Sequence, residues 1–213
     1  MTLTQTAPRP AEPSRSENIK AYEPVPSTTA LSISADWLRT GVDMLHDDVR
    51  SLHGQTRALD LDDRAHKKAT TSDVPALLEE LAFSRGMSWA DIAAAAQVSV
   101  SAIRKWRNGG AATAENRQRL ARIASFLDIL EDRGVADPAQ WMEMALPLGP
   151  GYYIRPIDVF VEGHAEALIE MVEQRSEVAT IIDAAVPGWR DQKSDAEVFV
   201  DTDGQRSLRL RTE

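Results

Sequence analysis

The sequence predicts a mainly α fold: a helix-turn-helix bundle, a second small helical domain and a C-terminal β-hairpin. Three observations predict it. Apolar residues recur at steps of three and four through several long segments, the period of an α-helix. Between Met87 and Gly109 two short helices are joined by a tight turn that ends in a serine cap. The tail instead alternates apolar and polar residues around an Asp-Gly pair, which marks a hairpin turn.

Residues 1–29 are rich in Pro, Ser, Thr, Ala and Glu and carry almost no large apolar groups, which predicts a disordered tail. Residues 30–56 predict an amphipathic helix, with Leu38, Val42, Leu45, Val49 and Leu52 at alternating steps of four and three. That spacing fits a coiled-coil seam for dimerisation. Two heptads are too few to choose, and the favoured expectation is an amphipathic helix laid on the chain's own core. Residues 57–72 are charged and polar and read as a linker.

Residues 73–133 hold the helix-turn-helix. Pro75 suits the first turn of a supporting helix in which Leu77, Leu78, Leu81 and Ala82 share a face. Ser88 caps the next helix, Asp91 favours its N-terminus, and Ile92 and Ala93 form its apolar side. Small residues from Ala93 to Ala96 allow another helix to approach closely. Gln97-Val98-Ser99 breaks the run, with Val98 as an apolar plug. Ser99 or Ser101 caps a second helix that stops at Asn108-Gly109-Gly110. In it Ile103 and Trp106 point inward, while Ser101, Arg104, Lys105 and Asn108 occupy the remaining surface. A longer helix from Glu115 to Arg133 carries Leu120, Ile123, Ala124, Leu127 and Leu130 on one side.

Residues 134–192 form the predicted second domain. It opens with Asp137-Pro138, an N-cap followed by proline at the first helical position, and places Trp141, Met144 and Ala145 on one face. Pro147-Leu-Gly-Pro-Gly interrupts. Then come Tyr152 and Tyr153, a short helix or turn from Arg155 to Phe160, Gly163, and a helix with Ala167, Leu168, Met171 and Val172 on one side. In residues 193–213 alternation puts Val198, Val200, Leu208 and Leu210 on one side of the predicted hairpin. Two strands alone are marginal in water and must pack on something.

Net charge is −9, which argues against indiscriminate coating of nucleic acid. The distribution says more. Residues 73–127 hold five acids and seven bases, a balance of +2, whereas residues 128–213 balance at −10. The positive charge therefore gathers around the helix-turn-helix, where phosphate contact would need it. There is no cysteine, so disulfides and thiolate metal sites are excluded. No apolar run is long enough to span a bilayer, and the N-terminus lacks a signal-peptide pattern, so a cytoplasmic location is expected. A phosphate-binding glycine loop, a nucleophile elbow and a paired metal-binding histidine motif are missing. His46 and His53 lie two helical turns apart, too far for easy shared coordination. No enzymatic role and no cofactor are expected.

The segment from about Val74 to Leu130 resembles an Xre-type, lambda-repressor-like helix-turn-helix domain. Met87-Ser88, Asp91-Ile92-Ala93, Val98-Ser99, Ile103, Trp106 and Asn108-Gly109 carry the resemblance. It implies base reading from Val100, Ser101 and Lys105, with Ser99 and Asn108 near phosphates and Arg104 and Arg107 as adjacent cations. The family often places a phosphate-contacting glutamine where this chain has Trp89. A second resemblance covers roughly 40 residues. Trp141, Pro156, Asp158 and Gly163 are similar to the C-terminal domain of Xre/MbcA/ParS-type antitoxins.

That resemblance implies a partner-binding set of Trp141, Tyr152, Tyr153, Arg155, Pro156 and Asp158, facing a cognate toxin of the RES type that consumes NAD. Such antitoxins end soon after this helix, whereas this chain continues for nearly forty residues. The resulting expectation is a sequence-specific, double-stranded-DNA-binding transcriptional regulator. It would bind its operator as a homodimer, repress its own operon and act as the antitoxin of a type II toxin-antitoxin pair. The rivals are a phage-type immunity repressor without a toxin and an adaptor that grips only protein through Trp89 and Val100.

Overall fold

The structure, a computed structural model, describes residues 28–174, 176–194, 196–200 and 203–210. Nearly all of the tail predicted to be disordered lies outside these residues. Contacts divide the chain into two units, residues 1–46 and residues 47–213.

Helix α1 runs from Thr28 to Thr71, so the predicted linker at 57–72 is corrected: residues 57–71 are helix. Its inward face is Arg57, Leu61, Ala65 and Ala69, four positions at steps of four, all buried. With one charge and two alanines among the four, the hydrophobic period is too faint to see. The leucine-bearing side of the helix turns outward. Val49 and Leu52, within the second unit, are 51% and 62% exposed, so this stretch does not pack on the unit's own core. In the first unit Leu38, Val42 and Leu45 are exposed as well.

Helix α2 (Val74–Glu79) is capped by Asp73, whose carboxylate accepts from the Ala76 amide at 2.9 Å, and it continues into a π-helical turn at Glu80–Ser84. Helices α3 (Trp89–Ala95), α4 (Val100–Arg107) and α5 (Ala114–Asp132) follow. Between Leu120 and Leu130 helix α5 is buried on most of its circumference, with Ala121, Ile123, Ala124, Phe126, Leu127 and Ile129 inside. A helix apolar nearly all round belongs at the centre of a protein. Helices α2 and α3 pack on one part of it; α6 (Pro138–Glu143) and α8 (Ala165–Val172) pack on another.

The predicted border between residues 133 and 134 therefore does not separate two cores. One contiguous apolar cluster runs from Leu61 to Trp189. Phe126 of α5 meets Phe160 of α7 (Pro156–Val161) with ring centroids 4.8 Å apart. The Gln97 side chain, in the turn before α4, donates to the Val161 carbonyl at 3.1 Å. Helix α9 (Val178–Ala185) and a 3-10 turn at Trp189–Gln192 close the body. Trp189 is buried, its indole N–H donating to Asp183 at 2.7 Å. Strands β1 (Ala196–Val200) and β2 (Arg206–Leu210) pair antiparallel, Val198 opposite Leu208. The fold is mainly α. No helix among the described residues is long and apolar enough to cross a membrane.

Candidate functional site

Helices α3 and α4 are fixed by local chemistry. The Ser88 hydroxyl accepts from the Asp91 amide at 3.1 Å, and the Ser99 hydroxyl accepts from the Ala102 amide at 3.2 Å. Each cap satisfies an amide that the first helical turn would leave bare. The link between them is tight: Gln97 adopts φ +56, and the Val98 amide donates to the Ala93 carbonyl at 2.9 Å. The Ser99 and Ser101 hydroxyls lie 2.8 Å apart. At the far end Gly109 has φ +85, the left-handed conformation that ends helices, and the Gly110 amide returns to the Lys105 carbonyl at 2.9 Å.

Ile103 and Trp106 are buried beneath α4, at 1% and 5% exposure. Ser99, Val100, Ser101, Arg104, Lys105, Arg107 and Asn108, the seven residues expected to face DNA, are all exposed.

The pairing of cations around this surface is selective. Arg85 bridges Asp128 and Glu131. Arg119 pairs with Glu115 at 2.7 Å and donates to the Ala96 carbonyl at 3.2 Å. Arg122 pairs with Asp62. Among the described residues no carboxylate pairs with Arg104, Lys105, Arg107 or Arg117. Three of those four stand on α4, where they present a compact positive patch. The Arg107 guanidinium lies over the Trp89 ring, 5.2 Å from its centroid, and Phe83 meets the same ring edge-on at 5.9 Å. A cation at that distance from an indole face is attracted by the ring quadrupole. Trp89 thus acts as a ledge that aims Arg107, a role the sequence reading did not find. The two residues are eighteen positions apart on different helices, and no local signal links them.

Of the residues expected to contact a partner protein, Tyr153 and Asp158 line one hollow and Trp141 lines another. Arg155 and Asp158 are spent on each other: the Arg155 amide donates to the Asp158 carboxylate at 3.2 Å, and its guanidinium does so at 2.8 Å and 3.1 Å. The hydrogen bond that Arg155 donates to the Asp158 carboxylate pushes the Arg155 pKa up and keeps it charged. Together they cap α7, whose first residue Pro156 is buried. Tyr152 stacks edge-on against Trp189 at 4.7 Å. Trp141 lines a cleft of about 290 Å³ with Arg133, Leu146 and Met171. Tyr153, 57% exposed, borders a different hollow beside Glu162 and Gln192. Where α3 meets α6 and α7, burial pushes the Glu143 carboxyl up, and the Asp91 carboxylate beside it pushes the same way.

Comparison of the chain with protein-family models, curated proteins and solved structures finds no match. The two family resemblances therefore rest on the residues quoted for them.

Proposed function

We propose that this chain is a sequence-specific DNA-binding transcriptional regulator of the helix-turn-helix kind, with α4 entering the major groove. The observation that carries this reading is the cation sorting. Arg104, Lys105 and Arg107 stay exposed and free of carboxylate partners among the described residues, while Arg85, Arg119 and Arg122 are consumed. Ile103 and Trp106 hold the opposite side of the same helix in the core. Ser101 and Lys105 are one turn apart and reach base edges. Ser99 and Asn108 at the helix ends approach phosphates. Regulation of its own operon, in the cytoplasm, is the biological form this takes.

The test is a mobility shift or fluorescence anisotropy titration on DNA from upstream of the chain's own gene. Arg104→Ala with Lys105→Ala abolishes specific binding while leaving the helical circular dichroism unchanged. Affinity of the intact chain falls steeply with salt, and the slope of log K against log salt shrinks by about 0.9 for each phosphate contact removed. Unchanged DNA binding in the double variant overturns the groove assignment.

A specific observation supports a second reading, the protein-only adaptor. Phe83 is 73% and Val100 44% exposed beside Trp89, and Trp89, Val100, Ile103, Arg104 and Arg107 line a hollow of about 110 Å³. An apolar contact there would be nearly insensitive to salt, which separates the two readings. As an antitoxin the chain would use its acidic C-terminal third against a RES-like toxin, with Tyr153 the exposed aromatic residue of the expected set and Trp141 and Tyr152 half-buried. Co-purification with the product of the neighbouring gene tests that part.

A further inference from the structure

The full length of α1 reveals a longer pattern than its central part suggests. Leu31, Leu38, Leu45, Leu52 and Leu59 stand at strict seven-residue intervals on one helix, four heptads from first to last. Ala35, Val42, Val49 and Thr56 alternate with them at the other seam position. All five leucines are exposed, from 52% at Leu31 to 70% at Leu59, and so are both valines. Apolar seams sustained over three to four heptads are the signature of a coiled coil. Within the second unit the same helix buries Arg57 and Leu61. Leu59 and Leu61 differ by roughly 200° around the axis, so within the second unit the side carrying Leu52 and Leu59 faces away from that unit's core.

We infer that α1 pairs with α1 of a second copy of this chain as a parallel, two-stranded leucine zipper from Leu31 to Leu59. Three features of the chain select this occupant. First, β-branched residues at one seam position with leucine at the other favour two parallel strands over trimers or tetramers. Second, the flanking residues are compatible with a copy of themselves. A parallel pair sets Ser34 against Arg39, Gly41 against His46, Asp48 against His53 and Gln55 against Asp60, with no like charges opposed. Third, residues 28–46 bury none of their described side chains, and Gly41 sits among them. A helix of that length containing glycine is marginal by itself in water, so a partner helix supplies what the chain lacks.

This deepens the DNA-binding proposal by naming how two helix-turn-helix units are brought together. Its test reads mass without DNA, so the two can fail separately. Sedimentation equilibrium of the full chain gives twice the single-chain mass. Leu45→Lys with Leu52→Lys gives the single-chain mass while the thermal transition of the helical body is retained, because neither leucine packs inside the chain. The milder Leu45→Ala raises the dimer dissociation constant by about 30-fold or more.

Since the chain has no cysteine, Leu31→Cys supplies one thiol per copy. In a parallel pair the two thiols face each other, and an added oxidant that takes up their two electrons joins them as a disulfide-linked dimer. In an antiparallel pair they lie roughly 40 Å apart and do not. A single-chain mass for the unaltered protein, a larger assembly, an unchanged mass in the double lysine variant, or no cross-link through Leu31→Cys overturns the inference.

Discussion

Glycine 110 shows how finely one position is constrained. A Cβ added there would stand 2.5 Å from Lys105 Cγ and 2.8 Å from the Lys105 carbonyl oxygen, closer than real contacts allow. The side chain can swing away but the backbone carbonyl cannot. Gly110→Ala is therefore expected to cost about 1–3 kcal/mol, read by urea unfolding, and, under the proposed function, to weaken DNA binding by shifting Lys105. Other residue-scale features differ in how visible they are. The inner side of α4 was legible because Ile103 and Trp106 are three apart and share one face of that helix. The ledge under Arg107 was not. Arg155 and Asp158 also cap α7, a carboxylate at the third helical position reaching back to the cap, and that spacing is legible in the sequence beside their expected partner contact.

At the scale of elements, α1 is the instructive case, because its inner half is tied down by charge. Within the second unit the Arg57 guanidinium, 6% exposed, donates to Glu170 at 3.1 Å and to Glu173 at 2.8 Å. Arg133 of the α5 C-terminus reaches Glu173 at 3.0 Å, and Lys68 bridges Glu80 and Asp128 at 2.6 Å and 2.7 Å. Arg57→Ala leaves the buried Glu170 carboxylate with only the more distant Arg50, 3.9 Å away, and Glu173 with Arg133, and a loss on the order of 3 kcal/mol is expected from chemical denaturation.

The same cluster sets a pH dependence. Burial pushes the Glu173 carboxyl up, but hydrogen bonds from Arg57 and Arg133 outweigh it and leave its pKa below the ordinary 4.5. A carboxylate depressed on folding stabilises the protein above its unfolded value, and that contribution disappears as pH falls through the folded value. Melting temperature should thus drop below about pH 4.5. Glu173→Gln should be less stable at neutral pH and lose less on acidification.

For the whole molecule, the shared core changes what a destabilising substitution does. Phe126 lies fully buried where the helix-turn-helix meets α7. Phe126→Ala is expected to cost about 3–5 kcal/mol. Because one apolar cluster holds both Trp106 and Trp189, near-ultraviolet signals from the two regions should vanish in a single transition, coincident with loss of helix. Two separate transitions would mean that the helices after residue 133 fold on their own, as the sequence had suggested.

What the chain determines by itself is local: where helices begin, where they stop and which side of each is apolar. Ser88, Ser99 and Asp137 act on amides three residues away, so their caps are written in consecutive letters. Packing decided the rest. Whether residues 57–71 are linker or helix, which arginines stay unpaired, whether one core or two forms, and which way the leucines face all depend on groups far apart in sequence. Electrostatic pairing and burial act through space, and Arg57 meets its carboxylates only after more than a hundred intervening residues have folded between them.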